Sequence, residues 1–215
     1  MVSKEEVVKV LKILQKYHKG LSMLGNIGKS KNNYKILIST ILSARARDVV
    51  TLPISKELFK KYPTMKSLAN AKQKDVEKII KRIGFYKNKA KNIIGAARTV
   101  QNKYKGRVPN TEKELLKLPG VGKKVAACML VYAFNKPAIP VDTHVHKVSN
   151  RLGWVDTKTP EKTQKALEKL VPKKYWTIVN EVLVLHGQTI CLPRPKCFKC
   201  PIARYCKKKG VKKHA

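Results

Sequence analysis

Acidic residues are scarce in this chain of 215 residues: 13 Asp and Glu stand against 48 Lys and Arg, a net charge of +35. A fold needs no such imbalance, and self-repulsion on this scale costs stability, so a polyanionic partner is the simplest explanation. Charge alone leaves DNA, RNA and anionic lipid open, although the spread of lysines along the chain favours a duplex held on a broad face. Cysteine is nearly absent too, with only Cys128 in the first 190 residues. A disulfide framework would distribute cysteines and need an oxidising compartment. No apolar run is long enough to span a membrane, and Met1-Val2-Ser3-Lys4-Glu5-Glu6 has no signal-peptide pattern, so a soluble, intracellular chain is expected. Period-2 alternation is almost missing, which excludes a β architecture. There is no low-complexity linker and no fixed-period repeat.

What remains is helical periodicity. Ser3-Lys4-Glu5-Glu6 reads as a capping box ahead of Val7, Val10, Leu11 and Leu14 on one face. Further helices are expected over about 34–46, 55–62, 73–83 and 90–104. Thr111-Glu112-Lys113-Glu114 reads as a second capping box, and 123–135 is a strongly apolar helix containing Cys128 as a core residue. Thr159-Pro160 reads as a cap with proline at the first helical position. The expected fold is all-α, with roughly ten helices joined by short loops.

The remaining cysteines crowd one loop: Cys191, Cys197, Cys200 and Cys206, spaced C-x5-C-x2-C-x5-C. Four thiolates within 16 residues satisfy either one tetrahedral zinc ion or one iron–sulfur cluster. Leu118-Pro119-Gly120-Val121-Gly122-Lys123-Lys124 sits between two helices. Gly120 and Gly122 can take positive φ and leave the backbone uncovered, so the following helix offers free N–H groups and its dipole to a phosphate. The plain alternative is a tight interhelical turn. The helix dipole and neighbouring Lys123 both disfavour an ammonium at Lys124, as a Schiff-base nucleophile requires. Most lysines in so basic a chain are simply solvated charges or phosphate contacts. Asp142, in Val141-Asp142-Thr143-His144, reads first as an N-cap; an anion fixed there also suits stabilisation of a cationic sugar or proton transfer from Lys124.

Three features together resemble the endonuclease III family of DNA glycosylases: the Leu118–Lys124 hairpin, Val141-Asp142-Thr143-His144 with Asp142 eighteen residues after Lys124, and the four-cysteine loop. Leu42-Ser43-Ala44 with Asp48, and Ile83-Gly84-Phe85-Tyr86 with Lys89-Ala90, also look like family segments. The resemblance covers nearly the whole chain. It implies two helical domains flanking a DNA groove: a six-helix barrel over 26–136 containing the hairpin, and a second domain of 1–25 with 137–215 carrying a [4Fe-4S] cluster on the four cysteines. It implies a monomer acting on duplex DNA with damaged bases or abasic sites. Lys124 would attack the sugar C1′ and release an oxidised pyrimidine, the Schiff base would undergo β-elimination, and Asp142 would assist. Gly120, Gly122, Lys123, Arg194 and Lys196 are the phosphate-binding candidates, and His144 either lines the groove or only occupies the first turn of its helix.

The chain departs from the family in places. Arg45 follows Leu-Ser-Ala where glutamine is common, which bears on the contact to the orphaned base. Phe85 occupies the wedge position usually held by leucine. The first cysteine spacer is one residue shorter than usual and contains Pro193 and Pro195. Two alternatives stand beside this reading: a monofunctional mismatch glycosylase, against which Lys124 counts, and a non-catalytic DNA-binding module with a four-cysteine zinc site.

Overall fold

The fold comes from a computed structural model, which describes residues 2–44, 46 and 48–212. Arg45 therefore lies outside the described residues. Twelve α-helices and three single-turn 3-10 helices form, and no strand, among the described residues. The chain divides into two compact units, Met23–Phe134 and the pair Met1–Ser22 with Asn135–Ala215.

In the second of these, helix α1 (Lys4–Tyr17) places Val7, Val10, Leu11 and Leu14 on one fully buried stripe. It packs on α12 (Trp176–Thr189), which also lies against α10 (Thr143–Leu152); α11 (Pro160–Leu170) packs on α10. Ser22 closes the N-terminal segment onto α12, its backbone N–H and its hydroxyl both donating to the Glu181 carboxylate. Truncating Leu11 to alanine removes a fully buried side chain from this core. The expected cost is about 3 kcal/mol, read as a lowered melting temperature.

In unit Met23–Phe134 the central element is α3 (Asn33–Ser43), buried from Ile36 through Ser43. Around it lie α2 (Met23–Gly28), α4 (Asp48–Lys61), α7 (Tyr86–Tyr104) and α9 (Lys123–Tyr132). The short α5 (Met65–Ala69) and α6 (Gln73–Ile80) pack on α7, and α8 (Glu112–Leu115) packs on α9. Cys128 is fully buried beside Met23 and Leu24, as its apolar neighbours suggested.

Several expectations need correction. Helix α4 starts at Asp48 and runs through Pro53 rather than starting near Ser55. Proline deprives the Val49 carbonyl of its helical donor; Val49 is 77% exposed, so water reaches that turn. Helix α7 begins at Tyr86, four residues earlier than its apolar periodicity shows. Ser3 and Thr111 each cap through their hydroxyl, but Glu114 turns its carboxylate to Tyr104 and Lys117 instead of closing a box. A reciprocal box forms at Thr64 and Ser67.

Candidate functional site

The hairpin is built by two glycines with different duties. Gly120 has φ +77, and a Cβ there would lie 2.8 Å from Asn92 Cβ, so both conformation and space demand glycine. Gly122 does not have positive φ; it is extended at φ −95, ψ −178, and a Cβ there would meet nothing within 4 Å. No protein atom explains that glycine, whereas an outside group approaching the backbone would. Gly122 is the N-cap of α9 and supplies no side-chain cap, so the first-turn N–H groups are offered outward. The turn is seated on α7, where Gly95 leaves room for Pro119: a Cβ on Gly95 would lie 3.2 Å from Pro119 Cγ. Replacing Gly120 by alanine is expected to weaken DNA binding severalfold and to cost about 1–3 kcal/mol of stability, from strain and the clash with Asn92. A filter-binding titration beside a thermal melt checks both.

Lys123 is exposed and Lys124 half-buried in the first turn of α9. Asp142 is the N-cap of α10: its Oδ1 accepts from His144 N–H at 2.9 Å and Val145 N–H at 2.8 Å, leaving Oδ2 for other partners. The His144 ring lies over Gly187 of α12, where a Cβ would come within 2.8 Å of Nδ1, and that nitrogen is buried without a hydrogen-bond partner. Gly187 thus sets how closely α10 approaches α12, a role invisible in its local sequence. One turn on, burial pushes the Lys147 ammonium down, while Cys191 and Asp142 pull it up.

Phe85 is the N-cap of α7 in the left-handed region (φ 61), and 66% of it is exposed. A bulky side chain held there is strained, and an exposed aromatic is costly in water. The turn therefore presents a large apolar side chain at the surface.

The four cysteines come together. Helix α12 ends at Thr189, and Cys191 N–H donates to His186 C=O at 2.8 Å. Single 3-10 turns over Cys197–Lys199 and Ala203–Tyr205 then bring the others round. All four line one small, partly open cavity whose apolar wall includes Leu152, Ile190 and Ile202. Arg151 Nη1 donates to Cys191 Sγ at 3.4 Å and to Leu192 C=O at 2.7 Å, and the Lys208 N–H donates to Cys206 Sγ at 3.4 Å. Buried His186 faces Cys200 Sγ at 3.6 Å. Burial pushes the Cys200 and Cys206 thiols up, with a smaller push from the neighbouring cysteines, against backbone N–H donors that pull them down. Among the described residues, no three His, Cys, Asp or Glu stand close enough to hold a single metal ion. Arg194 and Lys196 are exposed on either side of buried Pro195 in this loop.

A helical chain with an uncapped Gly-x-Gly hairpin, a strongly basic composition and a cysteine-lined cavity is of the helix-hairpin-helix class. The HhH-GPD superfamily of base excision DNA repair proteins matches residues 38–173. Endonuclease III of Thermotoga maritima is 48% identical over 179 residues, 83% of this chain and 84% of that protein. A trapped covalent intermediate of endonuclease III with DNA, an estranged-adenine complex, superposes with TM-score 0.86 at 33% identity, covering 97% of each chain. A thermostable thymine-DNA glycosylase superposes with TM-score 0.80 at 30% identity, covering 95% of each. This chain belongs to the endonuclease III family within that superfamily, and it is a base-excision-repair DNA glycosylase with abasic-site lyase activity.

Proposed function

We propose that the chain removes oxidised pyrimidines from duplex DNA and nicks the strand through a Schiff base on Lys124. The observation that carries this reading is the position of Lys124, half-buried in the first turn of an uncapped helix directly behind the open Gly122. A structure 33% identical over nearly the full chain was trapped as a covalent intermediate with DNA, which supports a covalent enzyme–DNA intermediate here. In the proposed sequence the Lys124 amine bonds to C1′, the C1′–N bond breaks, and the base leaves with a proton. The nitrogen's remaining proton passes to O4′ as the C1′–O4′ bond breaks, so the sugar ring opens and an imine forms. A base removes a C2′ proton and the C3′–O bond breaks, which expels the 3′ phosphate and nicks the strand; water then hydrolyses the imine and frees Lys124. Asp142, fixed by two amide donors, is assigned the electrostatic and proton-handling role.

The hairpin amides, Lys123, Arg194 and Lys196 are assigned to phosphates, contacts that hold the duplex without reading its sequence. Phe85 is assigned to the step vacated when the damaged base swings out.

The cysteine loop is assigned to a [4Fe-4S] cluster. Four thiolates are the ligand set of such a cluster, and all four cysteines line one cavity; membership of the endonuclease III family favours it over zinc. When bound, the cluster supplies structure: it ties the loop bearing Arg194 and Lys196 to the ends of α10 and α12.

The test is a duplex with one oxidised thymine. The bifunctional reading expects base release together with a strand nick. A second reading, prompted by the thermostable thymine-DNA glycosylase, is removal of an undamaged mismatched thymine; it expects no release from this duplex and, on a duplex with a mismatched thymine, an abasic site in an intact strand.

A further inference from the structure

Lys89 is 6% exposed in the first turn of α7, and among the described residues its ammonium is not paired to a carboxylate. Its Nζ donates instead to the Leu42 carbonyl at 2.8 Å. That carbonyl is in the last turn of α3, where the helix leaves carbonyls unsatisfied and the dipole favours a cation. Its backbone N–H donates to the Phe85 carbonyl at 3.0 Å. One residue therefore links the strained, exposed Phe85 turn to the most buried helix of its unit. Burial pushes the Lys89 ammonium down to about 8, so the fold retains a cation where an apolar side chain of the same length would cost less.

A side chain inserted into a base stack is pushed back by the stack. The backbone at Phe85 is already in an unfavourable region, and Gly84 before it has nothing within 4 Å of where its Cβ would be. On its N-terminal side the turn is anchored by buried Ile83, and Gly84 adds no side chain between that anchor and Phe85. On the α7 side it is held through Lys89 and the fully buried Ala90.

We propose that Lys89 is a positioning residue for base extrusion, bracing the Phe85 turn against the end of α3 while Phe85 parts the duplex. The idea rests on the glycosylase reading above and adds to it the part that bears the load. Lys89 touches neither the sugar nor the leaving base; it acts through Phe85.

The test compares Lys89→Met with wild type on two duplexes, one with an oxidised thymine paired to adenine and one with a preformed abasic site. A fluorescent base analogue beside the lesion reports extrusion in stopped flow. Methionine matches lysine as far as Cε and lacks the Nζ donor, so the melting temperature is expected to stay within about 3 °C of wild type. Extrusion and kcat for the paired lesion should fall about 30-fold with KM unchanged, and abasic nicking should change less than about threefold. In a Phe85→Ala background, Lys89→Met should have no further effect. Equal losses on both duplexes, a loss of extrusion that persists without Phe85, or no loss at all would each overturn the brace. If Lys89→Met does not fold, Lys89→Arg, which keeps a donor but displaces it, is read on the same substrates against the same outcomes. A wild type that does not release the oxidised base would instead reject the substrate reading, and the two failures are thereby told apart.

Discussion

Lys124→Ala is expected to lower both base release and strand nicking by at least about a thousandfold, while DNA binding changes little. The two activities should fall together because one amine begins the first and carries the imine for the second. Binding should survive because the hairpin amides, Gly122 and Lys123 remain, and the mutated side chain is only half-buried in the first turn of α9. Alanine is also a good helix former, so α9 should keep its buried face of Val125, Ala126, Cys128 and Met129. The measurement is single-turnover kinetics on an oxidised-thymine duplex beside a binding titration. A variant that loses strand nicking but keeps base release would show that Lys124 serves only the lyase step.

The second large effect concerns the cysteine loop. Wild type is expected to be yellow-brown and to carry about four iron atoms per chain. Cys206→Ser should lose most of the iron and lower the melting temperature by well over 10 °C, because binding at such a centre is itself folding energy, on the order of 10 kcal/mol. The structural reason is that the loop has little else to hold it. Only Ile202 is fully buried between Cys197 and Cys206, and both 3-10 turns are three residues long. Without a central charge, half-buried Cys200 and Cys206 revert to thiols, and the cavity they line loses its reason to stay closed. Exposed Arg194 and Lys196 would then no longer be presented together, so DNA affinity should fall with the iron. A colourless protein with one zinc per chain would favour the zinc module.

Much of this was legible in the chain itself. The α1 stripe, the apolar α9, the Asp142 cap and the cysteine spacing each follow from local periodicity or local chemistry. What was not legible depends on neighbours distant in sequence. Nothing near Gly95 announces that Pro119 needs its space, and nothing near Gly187 announces His144. Proline conceals the first turn of α4, because the water that reaches exposed Val49 is a property of the fold. Helix α12 went unmarked: it is buried along much of its length, and a helix apolar on several faces loses the period by which helices are found. Gly122 shows the reverse. Of the two reasons the sequence offers for this glycine, positive φ does not apply, since the backbone is extended, and the uncovered backbone does. Lys89-Ala90 is visible in the sequence as part of a family-like segment, but the burial of Lys89 against Leu42 is a property of the fold.

The most direct test of the lysine mechanism is borohydride trapping on a duplex containing one oxidised thymine, with wild type and Lys124→Ala run side by side. Borohydride reduces a Schiff base to a stable amine, so the expected result is a protein–DNA crosslink with wild type and none with the variant. A wild-type protein that releases the base yet forms no crosslink, or a variant that crosslinks as well as wild type, would contradict Lys124 as the nucleophile.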